Sequence, residues 1–262
     1  MERAEKLATN RGTGWHIFTM AAESANQMLE IIEFGTLNGQ AALGKGISDI
    51  TTEGTKNQSA LTGATASLGN ASGSAVSTTF EINGGQTFTE TENGKTSISY
   101  RGMENPWGNT WNMIGGILIK GTGSSNGGIP YICSNYTYSN SINNNYSSIE
   151  LSLPNDSSWV SNLGYGNSAY DWVLMPASCS SSANSSLPVG DGGWFNSNLN
   201  GTRTVVCGGS WSFGENNGPF YYGCDKAPTD TSYKSYGARL MFIPSKDNIY
   251  ATNIQKWEHA MG

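Results

Sequence analysis

The sequence predicts an α+β domain that is loop-rich and built from short strands with one or two helices. Three observations carry that expectation: a composition weighted toward turns, one segment with clear helical periodicity, and short apolar runs separated by Gly and Asn. The chain has 262 residues, enough to bury a substantial core as one large domain or one domain with a smaller appendage. Its 34 Gly, its long Ser, Asn and Thr runs and only 13% charged residues favour turns and short strands over a helical bundle. Eight Trp and twelve Tyr supply the bulk that a loop-rich core needs.

Taken in order, "GWHIFT" is short and aromatic and reads as an edge strand. In "TMAAESANQMLEIIEFG", Met20, Ala21, Ala25, Met28, Leu29, Ile32 and Phe34 recur at steps of three and four, and Gly35 is a natural left-handed stop. This is an amphipathic helix expected to pack its apolar side on a sheet. "TLNGQAALGKG" suggests a brief second helix ended by Gly44 or Gly46. Residues 50–100 turn to Gly, Ser, Thr and Ala and read as an insert, with a hairpin over 79–100 signalled by alternation and by Asn83-Gly84 and Asn93-Gly94. Asn and Gly steps then punctuate strands over 114–119, 172–175, 204–207 and 238–243. The organisation predicted is thus 1–49, the insert 50–100, a core over 101–245 and a tail over 246–262.

A pI near 4.9 and a net charge of −6 give no basic patch for phosphates, so nucleic acid is not an expected partner. No apolar run reaches the length of a membrane span, and "MERAEKLATNRGTGWH" carries no hydrophobic signal segment, so neither membrane insertion nor a cleaved leader is expected. Cys133, Cys179, Cys207 and Cys224 form no C-x2-C pair, and the two histidines, His16 and His259, lie near opposite ends. That pattern argues against zinc and for buried free thiols, with a Cys207–Cys224 bridge left open by spacing.

The motif blocks are "ENPWGNTWNMIGGILI", then "VVCGGSW", then "GARLMF". Together they resemble the formylglycine-generating-enzyme branch of the C-type lectin-like fold, in which a "GNVWEW"-type strand precedes an "RGGSW" strand and a closing "GFRL" or "GARL" strand. The N-terminal "NRGTGWHIFTMAAESANQMLEIIEFGTLNGQAALGKG" is similar to phage and prophage proteins of that fold, including variable proteins of diversity-generating retroelements. The blocks frame roughly residues 10–245. Physically, Gly208 and Gly209 allow a bulge or a close backbone approach, and Trp211 supplies a core plug. Arg239 in the last strand needs an acid or carbonyls, with Glu104 as the nominated acid.

The resemblance makes residues 212–236 an exposed ligand-facing surface. That segment is rich in Tyr, Phe, Asn and Gly, which bring contact area and adaptable hydrogen bonding at low entropic cost. The ligand-binding residues expected are Phe213, Glu215, Asn216, Asn217, Phe220, Tyr221, Tyr222, Asp225, Lys226, Tyr233, Tyr236 and the loop residue Trp194. Trp107, Trp111, Trp172 and Trp211 are assigned to the core instead. The Asn-rich loop 135–146 is either a further contact edge or a solvated connection.

Catalysis is not expected. The two cysteines of the formylglycine-generating enzymes would fall near Phe213 and Gly218, where none stands, and the three-histidine site of the iron-dependent branch exceeds the two histidines present. There is no G-x-S-x-G elbow and no Walker loop, although Asp191, Glu215 and Asp225 are candidates to converge. The Glu-Pro-Asn and Gln-Pro-Asp signatures of calcium-dependent lectins are missing, so no metal or cofactor is implied. The resemblance therefore implies a phage or prophage tail-fibre protein in the virion that binds a bacterial cell-surface protein or glycan, as a homo-oligomer for which fibres offer the trimer as the analogy. The alternatives are a structural virion protein and a bacterial surface-displayed variable protein.

Overall fold

The computed structural model describes residues 1–50, 59–75, 79–82, 86–89, 94–123, 127–181, 189–195, 200–230 and 235–244. The chain opens with helix α1 (Glu2–Thr9), strand β1 (Trp15–Ile17), helix α2 (Met20–Phe34) and helix α3 (Gly39–Leu43). Short strands follow: β2 (Gly73–Ser74), β3 (Thr79–Ile82), β4 (Gln86–Thr89), β5 (Ile98–Tyr100) and β6 (Met103–Glu104). Next come β7 (Trp111–Thr122), β8 (Ile129–Ile132), β9 (Ser147–Ser148), β10 (Trp159–Tyr165) and β11 (Leu174–Ser180). Last are β12 (Gly193–Trp194), β13 (Asn200–Gly208), β14 (Gly218–Gly223), β15 (Tyr236–Gly237) and β16 (Leu240–Phe242). The protein is α+β, with strands dominating and three α-helices among the described residues. The extra helix is α1. It turns Ala8 and Glu5 inward, and the Glu5 carboxylate accepts the Ile17 amide at 3.0 Å and lies 2.6 Å from His16 Nδ1.

A seven-stranded sheet forms the frame, in the order β12-β14-β13-β7-β8-β9, with β15 on the free part of the β7 edge. β7 is antiparallel to β13 along one side, and its other side is shared by β8 and the parallel β15. Between the Thr204–Leu118 and Val206–Met113 pairs β7 bulges at Gly115 and Gly116. The bulge receives the β1–α2 junction: the Gly115 amide donates to Phe18 O, and a Cβ at Gly115 would lie 2.7 Å from Ile17 Cγ1. β16 pairs antiparallel with β1, so the two ends of the described chain lie side by side. β3 and β4 form the hairpin expected in the insert, whereas Tyr100 belongs to the separate β2-β5-β6 sheet; the Asn83-Gly84 turn lies outside the described residues.

The core fills the inner face of the large sheet. Ile114, Ile117, Ile119, Ile132, Val205, Cys207 and Tyr222 pack there with Met20, Val173 and Met175. Trp107, Trp111 and Trp211 are buried and Trp172 is half-buried. All four cysteines are free, so the bridge left open between Cys207 and Cys224 is not formed.

Helix α2 lies where its periodicity places it, capped by the Thr19 hydroxyl on the Ala22 amide and stopped by Gly35 at φ +65°. Its orientation overturns the expected one. Met20 is buried in the core as expected, but the rest of the inward face carries Glu23, Ser24, Gln27 and Glu30, while Ala21, Ala25, Met28, Leu29 and Ile32 face outward. Gln27 explains the choice: its Nε2 donates to Pro219 O and to Tyr222 Oη, both at 2.7 Å, hydrogen bonds that an apolar face could not make with β14. Burial, with Glu23 and Glu33 nearby, pushes the Glu30 carboxyl up to about 9, and burial raises Glu23 to about 7.

Of the partners expected for Arg239, a carbonyl takes the hydrogen bond and Glu104 contributes only its charge. Glu104 accepts from the Gly63 and Thr65 amides and the Thr65 hydroxyl, so its carboxylate is committed to that loop. Arg239 is half-buried, donates to Asn105 O, and has Cys207, Glu23 and Glu104 as electrostatic partners.

Candidate functional site

Residues 212–236 were expected to stay out of the core, yet β14 runs through their middle and every residue of it is buried. The reason is alternation hidden in "GPFYYG". Phe220 and Tyr222 point to the inner side, Phe220 against Val160, Leu174 and Val189, and Tyr222 into the main core. At 1% and 0% exposure neither has surface to offer a ligand. Asn217 is likewise fully buried. Its Oδ1 accepts the Ser210 amide at 3.1 Å and its Nδ2 donates to Ser210 O at 2.7 Å, closing the turn between β13 and β14. These three are structural residues, not contacts.

Tyr221 points the other way, to the outer face of the sheet. There Trp111 of β7, Val206 of β13 and Tyr221 of β14 form a cluster with Phe213 and Tyr236 against it. Register explains the meeting: Val206 stands opposite Met113 on one side and Gly223 on the other, and Tyr236 stands beside Trp111. Trp111 and Tyr221 have ring centroids 4.6 Å apart at 56°, and Phe213 meets them edge-on at 5.5 and 5.7 Å. Three rings in mutual contact make a rigid aromatic floor.

Above this floor is an open pocket of about 220 Å³. Trp194, 47% exposed, stands at its rim with Tyr236, Ser235, Asp225 and Lys226. Lys226 Nζ and Asp225 Oδ2 are 2.6 Å apart, so the polar edge of the pocket is an ion pair. Burial, reinforced by the Asp225 charge and Tyr236, raises the Tyr221 hydroxyl far above its ordinary range and keeps it neutral. The site thus offers aromatic faces, the phenols of Tyr221 and Tyr236 and one ion pair. That combination suits a ligand with an apolar face and polar edges.

The structure brings together Phe213, Tyr221, Asp225, Lys226, Tyr236 and Trp194 from the expected set. Glu215 and Asn216 sit instead on the short 3-10 turn Gly214–Asn216: the Glu215 carboxylate is exposed 3.8 Å from Lys45, and the Asn216 Nδ2 donates to Phe213 O. Tyr233 lies outside the described residues. The carboxylates of Asp191, Glu215 and Asp225 serve separate partners, the Phe220 amide, Lys45 and Lys226. Asp191 is buried, which pushes its carboxyl well up.

Trp111, Val206, Gly223 and Ser235 are pocket residues that the sequence reading left out. The available signal was the alternation Trp111, Asn112, Met113, Ile114, which puts Trp111 and Met113 on one face and Asn112 on the face shared with Cys207. Loop 135–146 makes its own contacts: Asn140 engages the Met1 amine and Glu2, and Tyr146 bonds Ser139. Among the described residues no group of three or more His, Cys, Asp and Glu side chains stands together as metal ligands would, and no helix is long and apolar enough to cross a membrane. Compared with known proteins, the chain matches no family model and no curated sequence.

Proposed function

We propose that this chain is a non-catalytic recognition domain of the C-type lectin-like kind, of the formylglycine-generating-enzyme-like subtype, carried on a phage or prophage tail fibre. It binds a protein or glycan on the bacterial surface through the pocket over Trp111 and Tyr221. One observation carries the reading: six side chains from residues 194–236 that suit ligand contact converge on one open, aromatic-floored pocket. A rigid floor of tilted rings and an exposed Trp at the rim resemble the anchors that dominate binding energy in recognition sites.

The test is binding of the purified chain to a panel of intact bacterial strains, beside Trp194→Ala and Tyr236→Ala variants whose melting temperatures match the parent. Strain-selective binding that falls about tenfold or more in each variant is expected, since an anchoring aromatic contributes upward of about 1.4 kcal/mol. Binding that both variants retain in full would overturn the pocket as the recognition site.

A further inference from the structure

Helix α2 is inverted. After Met20, its inward face holds Glu23, Ser24, Gln27 and Glu30, all at most 6% exposed, and Gln27 Oε1, Ser24 Oγ and Glu30 Oε2 have no hydrogen-bond partner there. Its outward face shows Met28 at 38%, Leu29 at 38% and Ile32 at 79%, with Ala21 and Ala25 exposed beside them. The outward positions 21, 25, 28 and 32 are spaced four, three and four, the interval of a helix-on-helix seam. We infer that this seam is the contact surface for a second copy of the chain, in which two α2 helices pack antiparallel about a two-fold axis.

Shape argues for a second copy. The seam tapers from small residues, Ala21 and Ala25, to bulky ones, Met28 and Ile32. In an antiparallel pair Ile32 falls opposite the partner's Ala21, and Met28 opposite the partner's Ala25, so large meets small at every level. Charge agrees. The seam carries no ionised side chain, although the chain has a net charge of −6 that would oppose contact through its acidic surfaces. Glu33, exposed beside the seam and 2.9 Å from Arg101 Nε, is carried toward the partner's helix N-terminus, where a negative charge is favoured.

Size sets the strength. A seam from Ala21 to Ile32 is about 17 Å long, less than the roughly 800 Å² per partner of a standard stable interface requires, so the dimer is weak. Gln27 reaches the inner face of the sheet while the pocket lies on its outer face. A back-to-back pair therefore leaves both pockets open and makes the assembly bivalent.

Sedimentation of the full chain from about 1 to about 300 µM tests this, with a reversible monomer–dimer midpoint expected on the order of 10–100 µM. Met28→Glu combined with Ile32→Glu is expected to abolish the dimer and leave the melting temperature unchanged, because both side chains face outward. In a second arm, oxidised mixtures of Ala25→Cys and Met28→Cys chains are expected to cross-link faster than mixtures of Ala21→Cys and Ala25→Cys chains. A chain that is monomeric throughout, a dimer that survives the double substitution, or equal cross-linking in the two mixtures overturns the inference. So does a monomer in which removing residues 245–262 raises amide exchange over 21–32, since the chain itself would then cover the seam.

Discussion

At Gly209 the backbone φ is +80°, and a Cβ there would fall 1.7 Å from Asn217 Oδ1. The pair Gly208 and Gly209 was legible as a bulge or close approach, and the register indeed slips between Cys207 and Gly208. Asn217 was not legible. An Asn in a Tyr- and Gly-rich run reads as an adaptable surface contact, and only the approach of the Ser210 backbone makes it a bridge. Removing it in Asn217→Ala leaves the Ser210 amide unpaired and its carbonyl with only the longer bond from the Phe213 amide, so a loss of about 1–3 kcal/mol is expected in urea unfolding. Gly209→Ala is expected to cost at least about 2 kcal/mol by the same measurement, from backbone strain and the clash with Asn217. The Asn217 substitution leaves the pocket rings in place, whereas a Cβ at Gly209 would also fall 2.8 Å from Tyr221 Cδ1 in the pocket floor.

Among the elements, α2 and β14 show the same lesson in opposite senses. Local pattern placed α2 but not β14, which was expected as part of an exposed surface, and both turn unexpected side chains inward. The buried acids of α2 have a measurable consequence. Glu23 and Glu30 bind protons more tightly folded than unfolded, rising from an ordinary 4.5 to about 7 and about 9. Their contribution to stability is therefore fully present below about pH 4.5 and is lost as pH rises through those values. The melting temperature is expected to fall between pH 5 and pH 9 by several degrees, and Glu30→Gln is expected to flatten that slope. An unchanged slope in Glu30→Gln would show that the carboxyl is already charged and solvated in the native state.

At the scale of the molecule, the pocket draws on residues from Trp111 to Tyr236 that lie far apart in the chain, gathered by three neighbouring strands and two parallel pairings. Covalent links do not hold this arrangement, since the four cysteines are free thiols, so a reducing agent is expected to leave the melting temperature unchanged; a drop would reveal a disulfide. By itself the sequence determined the α+β class, the span of α2 and its stop at Gly35, the hairpin strands of the insert, the glycines at the β13–β14 bulge and much of the aromatic stock of the pocket. Those are local properties, set by periodicity, backbone freedom and composition. Only the tertiary structure decided which way α2 and β14 face. A period shows that an element has two sides, but the inward side is chosen by partners far along the chain. Pro219 and Tyr222 draw Gln27 inward over separations of 192 and 195 residues, and the register of β7, β13 and β15 puts Trp111 under the pocket.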